Sequence, residues 1–348
     1  MGSLNIQDAQ QQLLPEMIPL LQIRYTILQR IHVMGSIGRR GLADALQLTE
    51  REVRGVTDVL RKQGLIEATK AGMHCTDTGV EVLESLKSTI HEWSGIAQLE
   101  RKLKDLLPIE RVVIVPGNCD EDSSVKTLLG KEAMVELIAT LKTPSVIAVT
   151  GGSSVESMRT FLQPTALLQE SQFIAARGGI GNELQLHANT IVAAFAEQVN
   201  GQYRTLYLPE QLSEQAYETM LQEPMVQEMM NLYNKADIVI HGIGSAEEMA
   251  IRRSSSELDV TALKHKGAVS EAFGYYFDEL GNIVYKIQTI GIQLEHVHQS
   301  VKCIAVAGGK KKAEAIYSYL HVAPKQTVLI TDEEAAKVLL TRLALKEV

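Results

Sequence analysis

The sequence predicts an α/β protein in two parts: a small N-terminal helical module ending in a hairpin, then a larger Rossmann-like domain built on a parallel sheet. Three observations carry this. Residues 1–79 hold short segments with apolar side chains at helical spacing, followed by two short strand-like runs. Beyond Pro108, β-branched runs alternate with helical stretches to the end of the chain, the pattern of parallel strands joined by crossover helices. Between the two parts, residues 80–108 repeat apolar side chains at Val80, Leu83, Leu86, Ile90, Trp93, Ile96, Leu99, Leu103 and Leu106, which predicts an amphipathic connector helix with a possible break at Ser94-Gly95. Such a helix either pairs with a second chain or packs on its own domain.

The bulk composition excludes several classes. At 348 residues, 45% apolar and 22% charged, the chain has room for two packed cores and is too apolar for general disorder. No run approaches the roughly 20 apolar residues that span a bilayer, and the first residues lack the basic-then-apolar pattern of a secretory leader, so a cytoplasmic protein is expected. Cys75, Cys119 and Cys303 lie far apart, which predicts neither a disulfide framework nor a metal cage. The formal net charge of −8 is unevenly spread: from Arg24 to His74 there are nine Lys/Arg against five Asp/Glu. That local excess of cations suits a polyanionic partner.

Within the N-terminal part, Ile23, Ile27, Leu28 and Ile31 predict a first helix and Leu42, Ala43, Leu46 and Leu48 a short second one. Thr49-Glu50-Arg51-Glu52 has the form of a capping box, so a third helix starts at Glu50. Along it, Val53, Val56 and Leu60 form the inward stripe, and Arg51, Arg54, Asp58 and Arg61 the outward one. Gly64 to Ala68 and His74 to Thr76 read as two strands around a turn at Thr69 to Met73. An isolated row of arginines is commonly only a solvated helix face. A capped arginine-led helix, preceded by a short helix and followed by a hairpin, is instead a winged helix-turn-helix, whose third helix enters the major groove. Arg39, Arg40, Thr49, Arg51, Arg54 and Arg61 are the expected DNA contacts, and such modules usually work as dimers on paired half-sites.

In the larger part, Arg111–Val115, Ser145–Val149, Gln172–Ala176, Tyr203–Leu208, Ile238–Ile240, Val301–Val306 and Thr327–Ile330 read as strands. Ligands of such sheets bind at the carboxyl ends of strands. Four of these ends are glycine turns near cations: Thr150-Gly151-Gly152-Ser153-Ser154; Arg177-Gly178-Gly179-Ile180-Gly181; His241-Gly242-Ile243-Gly244-Ser245, followed by Arg252-Arg253; and Gly308-Gly309-Lys310-Lys311-Lys312. Glycine lets backbone amides approach an anion, and the cations complement it. The first turn is not a Walker A motif, since it lacks the Gly-Lys-Ser/Thr ending. Together they predict an anionic small ligand, with two separated donor sets suiting phosphates at both ends.

With those turns in view, and with Ile37-Gly38-Arg39-Arg40, Leu48-Thr49-Glu50-Arg51 and Gly267-Ala268-Val269-Ser270-Glu271-Ala272-Phe273-Gly274, the chain resembles the SorC/DeoR-type sugar-binding transcriptional regulators of bacteria over essentially its whole length. The resemblance implies a large domain like ribose-5-phosphate isomerase and glucosamine-6-phosphate deaminase, recruited as a sensor. It implies a repressor of glycolytic genes, working as a homodimer or homotetramer on operator DNA and controlled by a phosphorylated sugar, fructose 1,6-bisphosphate first among candidates. No catalytic residue, cofactor, metal or membrane partner is implied. Carried over by position, the effector residues are Thr150, Gly151, Gly152, Ser153, Ser154, Arg177, Gly178, Gly242 and Arg252, with Glu271 on the sugar hydroxyls. A lysine of the run Lys310-Lys311-Lys312 would add a cation, the choice among the three staying open. Ser153-Ser154 stand where threonines are common, which keeps both hydroxyls. The alternative is an active isomerase or deaminase, with Glu271, Asp259 and His241 as candidate proton carriers.

Overall fold

The computed structural model describes residues 12–179, 183–209, 211–253 and 257–345, with the side chains of 257 and 258 left aside. The chain forms two compact units: one holds residues up to Leu99 together with Glu121–Ser124, the other Glu100–Asp120 and everything from Val125.

The first unit packs helices Met17–Met34, Arg39–Leu46 and Glu50–Lys62 against a hairpin of β1 (Ile66–Thr69) and β2 (Gly72–Cys75). Its core gathers Ile27, Leu28, Ile31, Leu42, Val53, Leu60, Ile66 and Met73, so the apolar stripe predicted on each helix points inward. The second helix ends where Gln47 adopts a left-handed conformation (φ 53°). The capping box then starts the third: the Glu52 amide donates to Thr49 Oγ1 at 3.3 Å, and the Thr49 amide donates back to Glu52 Oε2 at 2.8 Å. The hairpin turn is tighter than the sequence suggested. Only Lys70-Ala71 separate the strands, because Thr69 Oγ1 accepts from the Ala71 amide and donates to the Gly72 carbonyl. Helix Asp77–Trp93 follows, with Leu83 and Ile90 buried in the same core, so this half of the connector packs on its own unit. Gly95 (φ 77°) separates it from helix Ile96–Leu106, the break expected at Ser94-Gly95.

The second unit is built on seven parallel strands in the order β3-β13-β12-β7-β4-β5-β6. In chain order they are β3 (Arg111–Val115), β4 (Val146–Val149), β5 (Gln172–Ala175), β6 (Gln202–Arg204), β7 (Ile238–His241), β12 (Lys302–Val306) and β13 (Thr327–Asp332). Every predicted strand is present. Their side chains are buried nearly throughout the central strands, as a sheet covered on both faces requires.

A four-stranded antiparallel sheet was not anticipated from the sequence. It runs in the order β11-β10-β9-β8, with β8 (Gly244–Ser245), β9 (Ser270–Ala272), β10 (Tyr275–Phe277) and β11 (Ile283–Lys286). These strands are two to four residues long, too short for a period-two pattern to register. A two-residue turn joins β9 to β10, with both Phe273 (φ 57°) and Gly274 (φ 85°) in the left-handed region, as a mirrored hairpin turn demands.

Strand order fixes where a ligand can sit. From β4 the chain winds outward through β5 and β6; from β7 it winds the opposite way through β12 and β13. The reversal falls between β4 and β7, and the crevice beyond their carboxyl ends is the switch point where doubly wound sheets bind ligands.

Candidate functional site

A cavity of about 700 Å³ opens at that switch point. Its wall includes Thr150, Gly151, Gly152, Ser153 and Ser154 after β4, Arg177 and Gly178 after β5, and Gly242 after β7. Arg252 reaches it from helix Ala246–Arg252, Glu271 from β9, and Lys312 from the turn after β12. Residues separated by more than 160 positions in the chain are thus brought to one rim. Of the effector residues expected from the sequence, Lys310 alone is absent from the wall and is exposed to solvent; of the lysine run, Lys312 lines the cavity. Ile180 and Gly181 lie outside the described residues.

The turn after β4 is held from both sides. Thr150 N–H donates to the Ile240 carbonyl at 3.0 Å, and Thr150 Oγ1 accepts from the Gly242 amide at 3.3 Å, stitching β4 to β7 at the point of reversal. Thr150 therefore shapes the turn as well as lining it. A Cβ on Gly151 would lie 2.4 Å from the Leu186 carbonyl oxygen, so only glycine fits. Gly152 takes φ 115° and donates its amide to that same carbonyl at 2.9 Å. Helix Ser153–Glu156 then starts with a glycine cap that has no side chain to offer, leaving first-turn amides beside the cavity without an intrahelical acceptor.

The turn after β12 behaves differently from the phosphate cradle that its glycines suggested. The Gly309 amide donates to Asp332 Oδ2 at 2.7 Å, and the Lys311 amide to Asp120 Oδ2 at 2.9 Å. Two of its amides are thus taken by carboxylates of the chain itself, and the Lys312 side chain lines the cavity.

Asp120 and Lys126 are among the wall residues that sequence reasoning missed. Both follow β3, whose carboxyl end carries Pro116-Gly117, so the strand-end rule applied to the other four turns would have reached them. Lys126 and Arg252 stand close enough for their charges to act on Lys312. Burial first, then the charges of Arg252 and Lys126, pull the Lys312 ammonium below the ordinary lysine value, against an opposing pull from Glu248 at 3.8 Å. Three cations that repel across one cavity are stabilised together by a dianion.

Deeper in the wall, one carboxylate oxygen organises the site. Glu271 Oε1 accepts from Arg177 Nη1 at 2.9 Å, Arg253 Nη2 at 3.0 Å and the Gly274 amide at 2.6 Å. All three side chains are at most 5% exposed. Burial alone would raise the Glu271 pKa; the two guanidinium groups outweigh it and hold the carboxyl below its usual range. Together these three side chains carry one net positive charge, which favours an anion in the cavity they border.

The residues proposed for the enzymatic alternative do not assemble a proton relay. Glu271 is held ionised by two arginines, and Asp259 is exposed on helix Glu257–His265, away from the cavity wall. His241 is fully buried beneath it, with its ring between the Gly242 carbonyl (2.9 Å) and Tyr319 Oη (3.1 Å); burial pushes its pKa down to about 4. Among the described residues no group of three or more His, Cys, Asp or Glu side chains is placed to hold a metal ion, and no helix is long and apolar enough to cross a membrane.

On the first unit, Arg40, Arg51, Arg54 and Arg61 are exposed, as a DNA-facing surface requires. Arg39 is partly tied down: its Nη2 contacts Asp58 Oδ1 at 2.9 Å and its Nε donates to Thr57 Oγ1 at 3.3 Å, which pins the second helix to the third. Thr49 belongs to the capping box just described.

Comparison with known proteins agrees with both units. Residues 20–90 match the "CggR N-terminal DNA binding domain" model and residues 91–341 a sugar-binding domain model. The chain is 40% identical over 333 residues to the central glycolytic genes regulator of Bacillus subtilis, covering 96% of this chain and 98% of that one. It is 40% identical over 331 residues to the protein of the same name from Priestia megaterium, at 95% and 96% coverage. Among solved structures, a SorC family transcriptional regulator from Enterococcus faecalis superposes with a TM-score of 0.65 at 41% identity, over 70% of this chain and 99% of that one. The full-length sorbitol operon regulator SorC from Klebsiella pneumoniae shares the fold, with a TM-score of 0.64 at 18% identity over 87% and 94% of the two chains. This chain accordingly belongs to the SorC-type family of sugar-binding transcriptional regulators, which are DNA-binding proteins and not enzymes, in the group that contains the central glycolytic genes regulators.

Proposed function

We propose that this protein is a repressor of glycolytic genes whose hold on operator DNA is released by a phosphorylated sugar, fructose 1,6-bisphosphate, bound in the cavity of the second unit. The observation that carries the ligand class is the convergence of Lys126, Arg252 and Lys312 on a cavity that also receives the glycine turn after β4. Amide donors and side-chain cations around one cavity suit two phosphoryl groups separated by a short carbon chain. Thr150, Gly151, Gly152, Ser153, Ser154, Gly178 and Gly242 would frame one end, and Arg252 and Lys312 the other. Arg177 and Glu271 would orient the sugar between them. The names of the 40%-identical relatives support the gene class.

A helix-turn-helix of this type reads paired half-sites, so the working unit is a homodimer or a pair of dimers. The ligand changes DNA affinity only to the extent that it binds the DNA-free arrangement more tightly than the DNA-bound one. A mobility-shift assay with DNA upstream of glycolytic genes, titrated with fructose 1,6-bisphosphate, tests both halves. The complex should dissociate at micromolar to millimolar ligand. An unaltered complex across that range removes the effector assignment, and no shift at all removes the operator assignment.

A further inference from the structure

Helix Glu50–Lys62 carries a glycine at its middle, and nothing among the described residues accounts for it. Gly55 is exposed, and a Cβ built on it meets no atom within 4 Å. Its φ is not in the left-handed region. Such a glycine costs about 1 kcal/mol of helix propensity relative to alanine. The usual reasons for one, a tight turn, a crossing helix or a helix end, are all absent at this position.

Its place on the helix supplies a reason. At 3.6 residues per turn, Val53, Val56 and Leu60 define the inward stripe, with Val53 and Leu60 buried in the core. Gly55 falls on the opposite ridge, in line with Arg51 one turn before it and Lys62 two turns after it; Arg54 flanks it, and Asp58 on the next turn is engaged by Arg39 and Arg61. A bare patch of backbone thus sits on the outward face of this helix, on the ridge between Arg51 and Lys62 and beside the exposed Glu52. A helix can seat deeply in the major groove only where its outward ridge leaves room for base edges and the sugar-phosphate walls. We infer that Gly55 is the point of closest approach between this helix and DNA, and that the missing side chain sets how deeply Arg51 and Arg54 reach. This rests on the reading of the helix as the DNA-facing element.

The test uses the full chain and a DNA duplex selected from a random-sequence library by the wild-type protein. Gly55→Ala and Gly55→Leu should fold with an unfolding midpoint equal to or above wild type, since both residues are better helix formers than glycine and neither meets a neighbour. Gly55→Leu should bind the selected duplex at least tenfold more weakly, and Gly55→Ala should fall between it and wild type. The slope of log affinity against log salt should stay unchanged, because no charge is removed. Arg51→Ala is the control, expected to weaken binding and flatten that slope. If Gly55→Leu binds as wild type while Arg51→Ala does not, the close-approach role is wrong. If both bind as wild type, the DNA-facing reading of the helix fails with it.

Discussion

Replacing Glu271 by glutamine should destabilise the second unit severely without changing its shape. The carboxylate is 3% exposed, and its Oε1 is the common acceptor for Arg177, Arg253 and the Gly274 amide. Glutamine keeps the size and one carbonyl oxygen and removes the charge, leaving two buried guanidinium groups to repel each other. Breaking a buried ion pair by removing one partner costs about 3–5 kcal/mol. For a unit of this size each kcal/mol lowers the unfolding midpoint by about 2–4 °C, so a fall of roughly 6–20 °C is expected by differential scanning calorimetry. The same cluster sets a pH window. The folded Glu271 pKa is depressed, so its contribution is complete above the ordinary glutamate value of 4.5 and is lost as pH falls through the lower folded value. Glu271→Gln should therefore unfold at nearly the same midpoint as wild type in strong acid and diverge from it toward neutrality. A midpoint lowered by less than about 2 °C at neutral pH would refute the electrostatic role assigned to this carboxylate.

Four further outcomes follow from the geometry. Lys312→Met should weaken fructose 1,6-bisphosphate binding by about tenfold or more in a calorimetric titration, whereas Lys310→Met, altering an exposed residue outside the cavity wall, should leave it unchanged. Because burial and neighbouring cations lower the Lys312 pKa, wild-type affinity should decline as pH rises through a value below the ordinary 10.5, and Lys312→Arg should remove that decline. Gly151→Ala should abolish ligand-induced stabilisation in a melting assay, since its methyl group would collide with the Leu186 carbonyl and displace the turn. Thr49→Ala should lower the stability of the first unit by about 1 kcal/mol through loss of the cap, read as the midpoint of its circular-dichroism melting step.

Much of this architecture was legible in the residues because local rules and global fold agree. The Thr49–Glu52 box announces a helix start by itself, and the seven β-branched runs become the seven parallel strands because strands buried on both faces need continuous apolar stretches. The glycine turn after β4 was legible for a related reason: its glycines are sterically compulsory, and no packing elsewhere had to be known. The antiparallel sheet was not, since Gly244–Ser245 and Ser270–Ala272 pair only across 24 intervening residues and carry no period of their own. The internal bonding of the turn after β12 was not legible either, since its glycines resemble an anion cradle until Asp120 and Asp332, distant in sequence, are seen to take two of its amides. Arg253 was overlooked beside Arg252 for the same reason. Only the fold reveals that one arginine faces the cavity while the next turns in to Glu271.

The claim on which the rest depends is that phosphoryl groups are held at the carboxyl ends of β4 and β7. A crystal structure of the full chain grown with fructose 1,6-bisphosphate examines it directly. One phosphoryl group should lie against the amides and hydroxyls of Ser153 and Ser154, and the other within reach of Arg252 and Lys312. A ligand bound at any other place, or a cavity left empty at saturating ligand, would contradict it.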